Sequence, residues 1–342
     1  MPPPSAGQRP VLCAVDFEAS SWRALGFAVS VARQTAQPLH IVHVSDPGPE
    51  VDWDHLDPAI APALRELEAL LEARVERAHG LLARASAACA RAGVTAQTHL
   101  ATGRPPEAII EAGERHAAGL IVVGAHNAAE RHRVHLLGST AERVLRAAQV
   151  SVLVVPGPPP APKATSGARV APDRPLHAGA AAPSDDPLTG DPAMALIQRI
   201  LCPTDFSDSS DAAIEYSLSL AETLGAEVHL LHVYPIPALM LPDGGVTATA
   251  QLVARLSEHA NDAMDAHVAR LTERGAKVTG HVTEGVAAQS ILDAAEEIGA
   301  DLIVMATHGR TGLAHLLVGS VTERVVRLST IPVLTVRTHA PT

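Results

Sequence analysis

Aromatic residues are scarce in this sequence, with 2 Trp, 2 Tyr and 3 Phe among 342 residues. Hydrophobic residues nonetheless make up 47% of the chain, so its cores must be built mainly from Ala, Val, Leu and Ile. A chain of this length favours two domains, because single domains usually span about 100–200 residues.

Cysteine, long apolar runs and excess positive charge are also lacking. Three cysteines, Cys13, Cys89 and Cys202, form no even disulfide framework. No apolar run approaches the roughly 20 residues that a membrane-spanning helix needs, and the first residues lack the regions of a signal peptide. The formal net charge of −11 argues against a nucleic-acid surface. We therefore expect a cytoplasmic protein that binds neither membranes nor nucleic acid.

Familiar catalytic patterns are missing too. Neither Gly-x4-Gly-Lys-Ser/Thr nor Gly-x-Gly-x-x-Gly occurs, which excludes P-loop and Rossmann sites, and no Ser-His-Asp or Cys-His arrangement is indicated. His126, His132 and His135 lie close together, but no Cys or carboxylate accompanies them at a fixed spacing, so they are a weak metal signal. We predict no catalytic residue and no metal site.

The sequence does contain an internal repeat. The predicted first strand, Val11–Phe17, recurs as Ile200–Phe206, a shift of 189 positions, and Gly103 recurs as Gly285, a shift of 182. Each copy alternates strands and helices through five strands. This alternation predicts two α/β domains, each with a parallel sheet covered by helices on both faces.

The predicted domains are residues 9–156 and 196–338. Residues 157–195 between them are rich in Pro, Ala, Gly, Ser and Asp. Such a segment buries too little apolar surface to offset its ordering entropy, so we expect a disordered linker.

The strongest functional signal lies near the end of the second copy. The apolar run at 302–305 predicts a buried strand, and Gly309, Gly312 and Gly319 follow it. Residues 320–323 have the Ser-x-x-Glu pattern of a capping box, which predicts a helix starting at Ser320. A strand, a glycine-containing loop and a helix N-terminus together favour anion binding. The alternative is a tight turn in which Ser320 is an ordinary N-cap.

Gly309, nine intervening residues and then Gly319-Ser320 resemble the second half of the Gly-x2-Gly-x9-Gly-Ser/Thr ATP-binding signature of universal stress proteins. Ala306 stands at the first glycine of that signature. The resemblance implies two tandem copies of a five-stranded parallel-sheet α/β domain of the adenine nucleotide alpha hydrolase-like type. It also implies strand order 3-2-1-4-5, with the ligand at the switch point between strands 1 and 4.

The implied ligand is ATP, with or without Mg²⁺. Its phosphates would lie on the loop from Gly309 to Gly319, and its adenosine over strands 1 and 2, near Asp205 and Val233. Asp205 has a structural alternative, which is to cap the turn or helix after it. The predicted binding residues are Pro203, Thr204, Asp205, Val233, Ala306, Thr307, Gly309, Arg310, Thr311, Gly312, Gly319, Ser320, Val321 and Thr322.

The first copy departs from this pattern. It retains Asp16, Val44, Gly124 and Gly138, but Asn127 replaces the middle glycine, and ten residues rather than nine separate it from Gly138. A side chain would lie where a phosphate should approach. We therefore predict a structural loop in the first copy and a nucleotide site in the second.

The sequence thus predicts a stress-response module in which ATP acts as a regulatory ligand, with slow or no turnover. Two alternatives stay open: an interaction protein that binds no nucleotide, and a slow ATPase. The final apolar strands, 152–155 and 333–336, are predicted sheet edges. We expect them to pair within one chain as a pseudo-dimer, or between two chains as a homodimer.

Overall fold

A computed structural model describes residues 9–45, 61–125, 137–157, 197–235, 250–307 and 318–337. The first copy consists of β1 (Val11–Ala14), α1 (Ala19–Thr35), β2 (Leu39–Ser45), α2 (Ala61–Arg91), β3 (Ala96–Thr102), α3 (Pro105–Arg115), β4 (Leu120–Gly124), α4 (Ser139–Ala147) and β5 (Ser151–Val155). The second consists of β6 (Arg199–Pro203), α5 (Asp208–Leu224), β7 (Glu227–Tyr234), α6 (Ala250–Glu273), β8 (Val278–Glu284), α7 (Ala287–Ile298), β9 (Leu302–Ala306), α8 (Ser320–Leu328) and β10 (Val333–Val336). The predicted linker falls almost wholly on residues 158–196, outside the described ranges, and stays a prediction.

The strands form one open sheet of ten in the order β3-β2-β1-β4-β5-β10-β9-β6-β7-β8. Each copy therefore has the predicted order 3-2-1-4-5, and every pair within a copy is parallel. Every residue of β1, β5 and β10 is buried. Apolar runs of this kind are typical of strands that are covered on both faces.

The two copies join through their final strands. β5 and β10 pair antiparallel, with Leu153 opposite Leu334, and the buried hydroxyl of Thr335 donates to the carbonyl of Val152 at 3.1 Å. The prediction that these strands meet within one chain is confirmed. Because β4 flanks β5 and β9 flanks β10, both sides of each final strand are occupied within the chain, and the alternative pairing between two chains is not the one that this structure has.

Charged side chains reinforce this junction. Arg146 of α4 forms ion pairs with Glu142 at 3.1 Å and with Glu323 of α8 at 3.0 Å. Arg337, just after β10, donates to the carbonyls of Leu145 at 3.0 Å and Arg146 at 2.6 Å. The second copy thus supplies hydrogen-bond donors to the last turn of a helix of the first copy.

Aliphatic cores lie on both faces of the sheet. One contains residues of α1, α2, α5 and α6, and the other residues of α3, α4, α7 and α8. None of the described helices combines the length and the hydrophobicity of a membrane span. Two continuous cores and a shared sheet hold the strand ends of each copy at fixed positions, which is what a ligand site there requires.

Candidate functional site

The carboxyl ends of β6, β7 and β9 meet at one edge of the second copy. β6 lies between β7 and β9, and the N–H of Thr204, just after β6, donates to the carbonyl of Leu231 on β7 at 2.8 Å. The helix after β6, α5, and the helix after β9, α8, pack on opposite faces of the sheet, which makes this edge the switch point. The predicted residues at these strand ends are therefore neighbours in space.

Asp205 holds the turn between β6 and α5. Its Oδ1 accepts from the N–H of Ser207 at 3.1 Å, from the hydroxyl of Ser207 at 2.5 Å and from the hydroxyl of Ser210. Phe206 has φ 59°, a left-handed conformation that is rare for a bulky residue and that needs such support. The structural alternative for Asp205 is thus realised, and the carboxyl group is fixed at the mouth of the switch point.

The first copy repeats this turn. Oδ1 of Asp16 accepts from the N–H of Glu18 at 2.9 Å, and Phe17 has φ 64°. β1 and β6 accordingly end at Ala14 and Pro203. The predicted strands, which continued to the two phenylalanines, were too long, because the aspartate-stabilised turn begins before them.

Two hydrogen bonds fasten the end of β9 to the start of α8. The N–H of Gly319 donates to the carbonyl of Thr307 at 2.7 Å, and the buried hydroxyl of Thr322 donates to the carbonyl of Ala306 at 3.0 Å. The first copy has the same first bond, from Gly138 to Ala125, also 2.7 Å. The two copies therefore share the same hydrogen bond between the end of the strand and the start of the helix.

The helix starts where predicted, but its cap differs. Ser320 is the first residue of α8, and Gly319, with no side chain to accept a hydrogen bond, occupies the N-cap position. Glu323, the predicted capping-box partner, pairs with Arg327 and Arg146, both at 3.0 Å. The capping-box prediction is wrong. The first N–H groups of such a helix have no partner within the helix, and Ser320 is exposed beside them.

The methyl group of Ala306 packs against the core on the α5 side of the sheet. In the first copy, a Cβ at Gly124 would lie 3.0 Å from the backbone carbon and Oγ of Ser20 and 3.1 Å from the backbone nitrogen of Ser21. A Cβ at Gly124 would thus crowd the start of α1, whereas the other copy accommodates alanine at the corresponding position. The loss of the signature's first glycine at Ala306 therefore places a methyl group in the core.

A cleft of about 190 Å³ lies at the same edge of the first copy. Its lining includes Asp16, Val44, Gly124 and Gly138, which correspond to Asp205, Val233, Ala306 and Gly319 in the repeat. Val233 is partly buried against the core on the α7 side. The first-copy counterparts of four predicted binding residues therefore line one cleft.

Several predicted residues lie outside the described ranges. Residues 308–317 carry Gly309, Arg310, Thr311 and Gly312, and residues 126–136 carry His126, Asn127, His132 and His135. The predictions made for them stay predictions. Of the second-copy set, Pro203, Thr204, Asp205, Val233, Ala306, Thr307, Gly319, Ser320, Val321 and Thr322 are described.

Matching histidines brace the ends of β2 and β7. Nδ1 of His43 lies 2.7 Å from the carbonyl of Val15, and Nδ1 of His232 lies 2.8 Å from the carbonyl of Thr204. A carbonyl can only accept, so each Nδ1 carries the proton. These rings are hydrogen-bonded parts of the fold.

A second group of histidines was not anticipated from the sequence. Ring nitrogens of His40, His99 and His116 all lie within 4.8 Å of one another, and Nδ1 of His40 is 2.8 Å from Nε2 of His99. Burial, and then His116 and His99, lowers the pKa of His40 to about 4. Burial, His116 and Arg115 also lower the pKa of His99.

The second copy keeps two of these three positions. Nδ1 of His229 lies 3.0 Å from Nε2 of His281, while the buried Nε2 of His229 has no hydrogen-bond partner in the described structure. Burial, then His281 and more weakly Arg199, lowers the pKa of His229, against Glu227. Burial lowers the pKa of His281, against Glu297. The recurrence of the pair in both copies was the sequence signal that could have revealed it.

All three cysteines are buried and unpaired. Burial raises the pKa of Cys89 and Cys202 to about 12 and that of Cys13 well above its ordinary value. The thiolate is the reactive form, so burial makes these thiols poor nucleophiles.

Comparisons with known proteins agree with this geometry. A sequence profile described as "Universal stress protein family" matches residues 8–156 and 196–337. Universal stress protein MJ0531 of Methanocaldococcus jannaschii is 38% identical over 144 residues, which cover 42% of this chain and 83% of that protein. A universal stress protein of Mycolicibacterium smegmatis is 27% identical over 344 residues, covering 97% and 98% of the two chains.

Among solved structures, a universal stress protein of Archaeoglobus fulgidus has a TM-score of 0.60 at 21% identity, covering 97% of this chain and 99% of its own. At that identity the likeness shows the fold alone. The profile, however, matches both copies and most of the chain. The protein therefore belongs to the universal stress protein family.

Proposed function

We propose that the protein binds ATP at the switch point of its second copy and acts as a nucleotide-dependent stress-response module. One observation supports this most directly. The hydrogen bond from Gly319 to Thr307 sets the start of α8 against the end of β9, and the loop between them has the spacing of the ATP-binding signature. In this arrangement, the helix N-terminus and loop N–H groups receive the phosphates.

Each residue would have a limited task. The N–H groups of Ser320 and Val321, at the positive end of α8, would bind phosphate oxygens, while Thr322 positions the helix through its bond to Ala306. Arg310 would add a charge-assisted donor. Asp205, fixed by its turn, and the backbone of Val233 would face the adenosine. Mg²⁺ would travel with the phosphates, since no dedicated set of carboxylates stands at the described strand ends.

ATP would act as a ligand that biases partner choice. Among the described residues at this edge, Asp205 is already held by two serines, which suits a positioning role better than proton abstraction. The proposal therefore favours slow or no hydrolysis. The slow ATPase is distinguished by measuring phosphate release with a loop variant as control, and the non-binding protein by analysing nucleotide released from freshly purified, denatured protein.

Isothermal titration with a matched pair of variants tests the proposal. Gly319 and Gly138 are N-caps with nearly the same backbone, φ −58°, ψ 145° and φ −60°, ψ 145°. Both conformations are open to β-branched residues, so valine tests ligand approach without forcing the backbone. Losing one charge-assisted phosphate contact costs about 1.5–3 kcal/mol, which exceeds tenfold in affinity.

We expect about one ATP per chain, lost in Gly319→Val and retained in Gly138→Val. Two equivalent sites per chain would show that the first-copy cleft also binds, and that the altered loop around Asn127 is compatible with phosphate. Binding lost only in Gly138→Val would reverse the assignment of the two copies. Absence of ATP binding by the parent chain would leave the interaction protein as the better description.

A further inference from the structure

His40, His99 and His116 form a three-histidine cluster that the proposed nucleotide site does not use. β2 and β3 carry the first two, and the third follows the last turn of α3. The ring centroids lie 4.1 to 5.0 Å apart. None of the three lines the cleft at the carboxyl edge of the first copy.

The cluster also lies on its own face of the sheet. His40 and Val42 are two residues apart on β2 and so face the same side, and Val42 packs in the core beneath α3 and α4. His43 faces the opposite side, where its ring packs against Phe17 at 4.8 Å. A ligand held by the cluster would therefore be separated by the sheet from the ring that braces the switch point.

The chemistry of three gathered imidazoles favours a metal ion. Neutral imidazole nitrogen suits Zn²⁺, Cu²⁺ and related divalent ions, and three histidines with one open position form a known type of zinc centre. Burial lowers the pKa of His40 and of His99, which favours the neutral rings whose nitrogens can bind a metal. His40 is buried, while His99 and His116 are partly exposed, which leaves a path of entry.

The distances are compatible with a small adjustment of the rings. Tetrahedral Zn–N bonds of about 2.0–2.1 Å place ligand nitrogens about 3.3 Å apart. The His40–His99 nitrogens, at 2.8 Å, would separate slightly, and His116 would approach within the 4.8 Å limit of the cluster. Arg115 adjoins His99, but it is already ion-paired with Glu111 at 2.5 Å, which reduces its repulsion of a cation.

We propose that His40, His99 and His116 form a binding site for a divalent transition-metal ion, with Zn²⁺ as its best-suited occupant and a water molecule or external ligand in the fourth position.

The second copy provides a built-in comparison. His229 and His281 repeat the 3.0 Å histidine pair, but Ile298 stands at the position of His116, at the same shift of 182 that relates Gly103 to Gly285. Two histidines without a third ligand hold metal weakly. The proposal therefore assigns the site to the first copy alone, and it identifies His116 as the residue that creates it.

Titration of untagged, chelator-treated full-length chain with Zn²⁺, and with Co²⁺ as a spectroscopic probe, tests this assignment. We expect one tight site per chain and the visible absorption of tetrahedral Co²⁺. His116→Ile, which copies the second copy, should weaken Zn²⁺ binding by roughly 100-fold or more, since even outer-shell changes cost about 10–100-fold. Replacing His126, His132 and His135 together by Ala should leave the site intact.

The reciprocal variant adds a gain of function. Ile298→His should create a second Zn²⁺ site, and it decides the matter even if His116→Ile folds poorly. Parent-like Zn²⁺ affinity in a folded His116→Ile variant would overturn the proposal. So would loss of the site in the variant lacking the three loop histidines, or a parent chain that binds no Zn²⁺ at micromolar concentrations.

Discussion

Arg337 allows the junction between the two copies to be tested by a single substitution. Its guanidinium group donates to the carbonyls of Leu145 at 3.0 Å and Arg146 at 2.6 Å, near the carboxyl end of α4. Carbonyl groups in the last turn of a helix have no partner within the helix, and a cation there also interacts favourably with the helix dipole. Arg337→Met removes both donors and keeps most of the apolar stem.

The expected loss follows from the two contacts and the burial that accompanies them. Hydrogen bonds to a charged group contribute about 1.5–3 kcal/mol each. Against this, Arg337 is half-buried, its Nε is buried without a hydrogen-bond partner among the described residues, and burial lowers the pKa of its guanidinium group. Part of the gain therefore offsets desolvation. We therefore expect Arg337→Met to reduce the free energy of unfolding by about 2–3 kcal/mol.

Urea unfolding of the full chain measures this loss as a shift in midpoint at constant m-value. Arg274→Met is the control, because Arg274 forms an exposed pair with Glu215 at 2.5 Å, and exposed pairs contribute little. Arg337→Lys should recover only part of the stability, since both bonds come from Nη2, which lies farther from the backbone than a lysine ammonium group. Equal midpoints for Arg337→Met and Arg274→Met would refute the role assigned to the junction.

Two further predictions concern single sites. The pKa values of His229 and His281 are lowered in the folded chain, so the unfolded chain binds more protons below pH ~6.5 and the free energy of unfolding should fall there as pH drops. His229→Gln should make that fall shallower. A pH dependence equal to that of the parent chain would show that the pair does not contribute. Gly124→Ala should destabilise the chain by about 1–3 kcal/mol through overpacking against Ser20. The reciprocal Ala306→Gly should cost less, about 0.5–1 kcal/mol. Thermal melting compares the two, and a loss for Ala306→Gly that equals or exceeds the loss for Gly124→Ala would contradict the packing difference.

The repeat and the apolar runs were sufficient to predict the architecture, because strands buried on both faces leave few arrangements. The family resemblance supplied the strand order that periodicity lacks. The pairing of the two final strands could also be predicted, because each is an apolar sheet edge and two such edges in one chain can cover each other. Whether they would do so within one chain depended on contacts between residues such as Val152 and Thr335, which lie far apart in the sequence.

The local errors have physical causes. Ser320 and Glu323 have capping-box spacing, but Gly319, whose N–H donates to Thr307, occupies the N-cap position, and Arg327 and Arg146 attract the glutamate. A local sequence pattern contains no information on such contacts with residues that are distant in the sequence. The family resemblance placed Asp205 near the adenosine, and its residue type suggested a turn cap. The number of hydrogen-bond donors that surround its carboxylate depends on the three-dimensional structure.

The histidine cluster was missed for a different reason. His40, His99 and His116 have no ligand spacing in the sequence. They meet because β2 pairs with β3 and because α3 returns its last turn to that face of the sheet. A comparison of the two copies would have singled out the recurring pair, but the third member is the residue in which the copies differ.

The antiparallel pairing of β5 with β10 has a consequence for synthesis on the ribosome. The first copy can be complete while its apolar strand, residues 151–155, still lacks the neighbour at residues 333–336. At about 5–20 residues per second, that neighbour follows roughly 10–40 s later. For that interval the nascent chain presents an uncovered sheet edge, a template for wrong pairing with other chains, which crosslinking of ribosome-bound chains of increasing length would detect. Because the two copies belong to one polypeptide, the correct partner strand is tethered near that edge as soon as residues 333–336 leave the ribosome.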